Sequence, residues 1–131
     1  MTFLDSDIIS YYLIANEKVT NNIIELFDNE ELICTTVINL YEIYKGFRWK
    51  NNRNSVKKFN DFLKYLSVYS IDNEVIDFAA DIYADLRKRG KSTEDADILI
   101  AAIVIKNNGT LVTNNTKHFG NIKQLKVVNW V

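Results

Sequence analysis

Short apolar runs alternate with longer amphipathic ones along this chain, from Thr2 to Val128. Thr2-Phe3-Leu4 reads as a strand that stops at Asp5, with Ser6 and Asp7 as natural caps for a helix over Ile8–Ala15. A second helix is predicted over about Val19–Phe27, and Glu31–Thr35 reads as the second strand. Thr35 or Thr36 caps a helix from Val37 to about Trp49, where Leu40, Ile43, Tyr44 and Phe47 recur at helical spacing. Glu42 lies among those apolar positions rather than on an obviously solvated side. The polar break Asn51–Asn54 precedes a helix over about Ser55–Leu66, and Val68–Ile71 is either a short strand or an extended connector. Asp72 or Asn73 then caps a long helix that Gly90 stops.

The central stretch runs from Glu94 to Phe119. Ile98–Ile105 carries no charge and ends at Asn107-Asn108-Gly109, a helix-stop signal, so it reads as a helix apolar nearly all round and buried on more than one side. Leu111-Val112 follows as a short strand, and Leu125–Val128 as the last one. Strands alternating with helices predict an α/β domain in three layers, α/β/α, around a mainly parallel sheet of four to five strands. No linker or repeat interrupts residues 1–131, which read as one domain, and the chain has no proline.

Composition narrows the class. At 47% hydrophobic and 25% charged residues, the chain has material for a real core in a soluble domain. It shows no charged-then-apolar leader and no apolar run long enough to cross a bilayer, so a cytoplasmic location is expected. The single cysteine, Cys34, excludes an internal disulfide and a cysteine-based zinc site; its apolar setting predicts a buried structural thiol. A net charge of −1 does not advertise nucleic-acid binding, but Lys45, Arg48, Lys50, Arg53, Lys57 and Lys58 make one basic region and Arg87–Lys91 a second. Such patches beside an acidic centre suit a phosphate backbone, whereas any one lysine reads more simply as a solvated helix residue. Tyr11, Tyr12, Tyr41 and Tyr44 read as core or interface residues.

The acids supply the chemistry. In an open parallel sheet, sites form beyond the carboxyl ends of the strands. Asp5 ends the first strand, Asn115 follows the Leu111–Thr113 strand, Asp97 opens the buried helix, and Glu42 lies about two turns into the helix after the second strand. Oxygen ligands of this kind suit Mg²⁺ or Mn²⁺ rather than zinc, and a carboxylate beside so apolar a helix calls for a cationic partner. The chemistry then available is phosphodiester hydrolysis by metal-activated water. Taken singly, each residue has a plainer reading: Asp5 as a cap, Glu42 as a solvated residue, Asp95 and Asp97 as first-turn acids, Asn115 as a turn residue. Asp95 and Asp97 lie two apart on a helix and are not expected to face one site together. His118, with no histidine partner at metal spacing, reads as a surface or turn residue.

With those residues in place, the chain resembles PIN-domain ribonucleases of the VapC toxin type. Phe3-Leu4-Asp5-Ser6-Asp7-Ile8-Ile9-Ser10, Thr36–Gly46, Asp95–Ala102 and Leu111–Phe119 resemble the four family motifs in order. Asp7 stands where that pattern usually has asparagine, and Asn115 where some members have aspartate. The resemblance implies an Mg²⁺-dependent endoribonuclease, the toxin of a toxin–antitoxin pair, working as a homodimer on RNA and neutralised by a cognate antitoxin. It places the metal on Asp5, Glu42 and Asp97, with Asn115 supporting catalysis. Two other readings compete: a PIN-type nuclease of RNA processing without an antitoxin, and a receiver-like signalling module using Asp5 and Asp7. The second lacks a convincing acceptor aspartate in residues 31–36 or 67–72.

Overall fold

The computed structural model describes residues 1–131. Its strands are β1 (Thr2–Leu4), β2 (Ile33–Thr36), β3 (Ser67–Tyr69), β4 (Thr110–Val112) and β5 (Lys126–Val128). All four strand pairs are parallel, in the order β3-β2-β1-β4-β5. The helices are α1 (Ser6–Leu13), α2 (Glu17–Asp28), α3 (Val37–Lys50), α4 (Arg53–Leu63), α5 (Asn73–Lys88), α6 (Asp95–Lys106) and the short α7 (Thr116–Phe119). The expected three-layer α/β/α architecture is present, with five strands. Residues 67–69 are a strand rather than a connector, and α7 adds a turn that no hydrophobic period announced.

Local chemistry explains where the helices begin. Asn16, Asn52 and Asp72 each accept a bond from the backbone N–H three positions on, at the starts of α2, α4 and α5. Thr36 and Asn39 form a reciprocal capping box at the start of α3. For α1 the cap is Asp5, one residue earlier than the pattern suggested, and Asp7 is not a cap. The side-chain period of two then sends neighbouring strand residues to opposite faces. Phe3, Cys34 and Leu111 join a core with α5, α6 and α7, while Leu4, Ile33 and Val112 join a core with α1, α2, α3 and α4.

Helix α6 is the pillar of the first core, with Ile98, Ile100 and Ala101 through Val104 all buried, as its uncharged sequence required. It stops through Asn108, whose φ of 54° is left-handed. Gly109 serves a different purpose. A Cβ there would stand 2.6 Å from the Phe3 ring, so only glycine lets β4 run this close to β1. Cys34 is fully buried and free, and burial pushes its thiol up to about 11, the inert state expected of it. No helix is long and apolar enough to cross a membrane.

Candidate active site

Sheet order fixes where the site falls. The chain runs outward from β1 through β2 to β3 on one side, and from β4 to β5 on the other, so order reverses between β1 and β4. Leu4 pairs with Val112 at the last rung, which delivers Asp5 and Thr113 side by side at the carboxyl edge. Asp5 is 7% exposed and its carboxylate is held by three donors. Oδ1 accepts from the Ser6 backbone N–H at 2.8 Å and from Asn39 Nδ2 at 2.8 Å, and Oδ2 accepts from Thr113 Oγ1 at 2.7 Å. A buried carboxylate tolerates its setting only with such partners.

Two further acids come to the same edge. Asn39 Nδ2 also donates to Ser6 Oγ at 3.0 Å, and Ser6 Oγ donates in turn to Glu42 Oε1 at 2.9 Å, so one amide and one hydroxyl couple Glu42 to Asp5. Burial pushes the Glu42 carboxyl above its ordinary value, and the charges of Asp5 and Asp97 add to that. Asp97, in the first turn of α6, keeps only 14% of its side chain exposed. Burial raises its carboxyl too, with Asp5 again adding, while His118 opposes the shift. Asp5, Glu42 and Asp97 therefore sense one another's charge, although 92 residues of chain separate the first from the last. Asp95 is exposed and points away, as two-residue spacing on a helix demands.

Sequence reasoning missed four contributors. Ser6, Asn39 and Thr113 are the donors that hold the acids, and nothing local in the sequence marks a buried asparagine as a second function of a helix cap. His118 is the fourth: its side chain is half exposed, as a surface residue would be, yet Nδ1 lies 3.5 Å from Asp97 Oδ2 and 3.1 Å from Asn115 Nδ2. His118 Nδ1 faces both Asp97 and the Asn115 amide, and it can serve only one of them at a time. The Asn115 amide Nδ2 lies beside His118 Nδ1 and its backbone N–H donates to Thr113 Oγ1, so it braces the edge. Asp7 reaches across the edge instead: Oδ2 accepts from the Asn114 backbone N–H at 3.0 Å, and Oδ1 is buried without a partner. Burial, then the charge of Asp5, raises the Asp7 carboxyl to about 6.

The donor set is all oxygen and rich in mutually repelling carboxylates, which fits a hard divalent cation. As placed, no three acidic, histidine or cysteine side chains stand close enough together to grip an ion. Asp5 is locked by its three donors. Glu42 and Asp97 are each tied by a single contact. Of the two basic regions, Lys58 is engaged by the Tyr12 carbonyl at 3.1 Å and the Tyr12 ring, and Arg89 is paired with Asp85. Arg48 lies over the Tyr44 ring, while Lys50 makes no ion pair. Tyr12 and Tyr44 pack on the second core, and Tyr41 is exposed.

A parallel sheet in this order, with acids from three separate segments gathered at its switch point, defines a class of protein. The PIN domain family model matches residues 2–125, and the chain belongs to that family. Among curated proteins it is 29% identical over 128 residues to ribonuclease VapC2 of Rickettsia felis, covering 97% of this chain and 96% of that one. It is 28% identical over 130 residues to a ribonuclease VapC2 of Haemophilus influenzae, covering 98% and 96%. Among solved structures, VapBC2 of Rickettsia felis bound to a promoter DNA fragment superposes with a TM-score of 0.88 at 27% identity, over 99% of this chain and 98% of that one. The fold is also that of VapBC-1 from nontypeable Haemophilus influenzae, with a TM-score of 0.83 at 23% identity over 98% and 97% of the two chains.

Proposed function

We propose that this chain is a metal-dependent endoribonuclease, the toxin of a toxin–antitoxin pair, which hydrolyses RNA phosphodiester bonds. The observation that carries the reading is the gathering of Asp5, Glu42 and Asp97 at one sheet edge, in a chain that aligns end to end with proteins named ribonuclease VapC. In this reading Asp5 is the fixed ligand, oriented by Ser6, Asn39 and Thr113, and Glu42 and Asp97 complete the set from either side. These residues would hold a Mg²⁺ or Mn²⁺ ion, which would supply Lewis-acid activation of water and charge neutralisation at the phosphate. Asn115 contacts His118 through its amide and braces the Thr113–Asn115 tip through its backbone N–H. The solved VapBC relatives support a cognate antitoxin as partner; the homodimer rests on the family resemblance.

The test is cleavage of total cellular RNA by the purified, antitoxin-free protein with Mg²⁺, with EDTA and with Asp97→Ala. Site-restricted cleavage that needs the cation and disappears in Asp97→Ala is expected. Cleavage that persists unchanged in EDTA or in Asp97→Ala would sink the reading, as would its absence from a folded wild-type sample.

A further inference from the structure

Helix α3 carries a glycine that the fold does not explain. Gly46 lies ten residues into a fourteen-residue helix, where glycine is among the least favourable choices. It is not there to end the helix, because Asn51 takes the left-handed cap with φ 51°. It is not there for close packing either, since a Cβ at Gly46 would meet nothing within 4 Å. Its open side faces a groove of about 230 Å³ between α1, α3 and the start of α4. The same groove is lined by Ser6 and Glu42 at the acid site, and by Ser10, Lys50, Asn52 and Ser55 beyond it.

Glu42, Gly46 and Lys50 are spaced i, i+4, i+8, so they form one line along the helix, about 12 Å from end to end. An acid of the site stands at one end, an unpaired lysine at the other, and a bare stretch of helix backbone between them. Serine hydroxyls and the Asn52 amide border that line. This is the chemistry of a track for a phosphodiester chain: a cation site for one phosphate, an ammonium for a neighbouring one, and hydroxyl and amide partners for ribose and base edges.

We infer that Gly46 is a substrate-contacting residue: its missing side chain lets single-stranded RNA lie flush against α3, with the scissile phosphate at Glu42 and a flanking phosphate at Lys50. The inference rests on the ribonuclease reading and names the path the substrate takes to that site. Leu13, Ile14, Ile43 and Phe47 also line the groove, so a protein segment is the other occupant it accepts; the run from Glu42 past Ser6 and Ser10 to Lys50, Asn52 and Ser55 is what favours the nucleic acid.

The decisive variants are Gly46→Ala and Gly46→Leu, compared with wild type in three measurements. Because the added Cβ enters open space in a helix interior, Gly46→Ala should melt about 3 °C higher than wild type. Its affinity for a fluorescein-labelled 20-nucleotide single-stranded RNA, measured with Ca²⁺ in place of Mg²⁺ under conditions where the RNA stays intact, should fall by roughly tenfold, and further in Gly46→Leu. In Mg²⁺ the loss should appear mainly in KM. A protein made more stable and a poorer RNA binder at once is the signature of a glycine kept for its ligand. RNA affinity unchanged in both variants overturns the inference, whether or not cleavage changes, and assigns the groove to a protein segment or to none. If wild type cleaves RNA and Gly46→Ala cleaves it equally well, only this inference fails. If wild type cleaves no RNA at all, it is the ribonuclease reading that fails.

Discussion

Asn39 holds more of the site together than any acid does. Its amide donates to Asp5 and Ser6, while its carbonyl oxygen accepts from the Thr36 backbone and hydroxyl, at full burial. Asn39→Ala should cost about 2–3 kcal/mol, read as a lowered urea midpoint, because it removes one of the two donors to Asp5 Oδ1 and the side-chain acceptor of the buried Thr36 N–H. Asp7 gives a prediction with an unusual sign. Its folded-state value of about 6 lies above the ordinary 3.8, so the folded protein favours the neutral form. Its contribution to stability is therefore complete below about pH 4 and is lost as pH rises to about 6. The shift corresponds to at most about 3 kcal/mol, and solvent screening of this half-buried group reduces that to about 1. In EDTA, Asp7→Asn keeps the acceptor for Asn114 and should outlast wild type in urea at pH 7 but not at pH 4. Parallel curves across that range would refute this account.

At the scale of elements, the site is made where two strands end and three helices begin. β1 delivers Asp5, β4 delivers Thr113, the first turns of α1, α3 and α6 bring Ser6, Asn39 and Asp97, and the second turn of α3 brings Glu42. The close approach of β4 to β1 depends on Gly109 facing the Phe3 ring. Gly109→Ala should force that ring aside and cost about 1–3 kcal/mol, with reduced activity because Asp5 and Thr113 lose their register. A variant as stable as wild type would show that the ring has room to move. The helices were legible in the sequence because their apolar periods and caps are local, and their predicted ends mostly fall within a residue or two of the observed ones. The start of α1 was misplaced because Asp5, Ser6 and Asp7 are all good caps, and only the sheet edge decides among them.

For the whole molecule, like-charged carboxyls at one edge link proton and cation binding. Glu42, Asp97 and Asp7 all have raised carboxyls, each in part through a neighbouring acid, so a bound divalent cation must compete with protons there. Adding Mg²⁺ should raise the melting temperature, by more at pH 7.5 than at pH 5, and Asp97→Ala should erase the difference. An equal rise at both values, or one that survives the substitution, would place the cation elsewhere.

The sequence by itself determined the three-layer class, the order of its elements, the inert thiol and the three acids, because each rests on a local period or on motif residues in order. It also carried the resemblance to the family that the whole chain then matched. Only the tertiary structure decided that Asp5 rather than Asp7 caps the first helix, that Asn39 and Thr113 hold Asp5, and that His118 meets Asp97. Those contacts join residues 34, 108 and 21 positions apart, and no periodicity of one segment encodes what another brings to it. The same holds for Gly46, whose open side is visible only once α1 and α4 have taken their places around it.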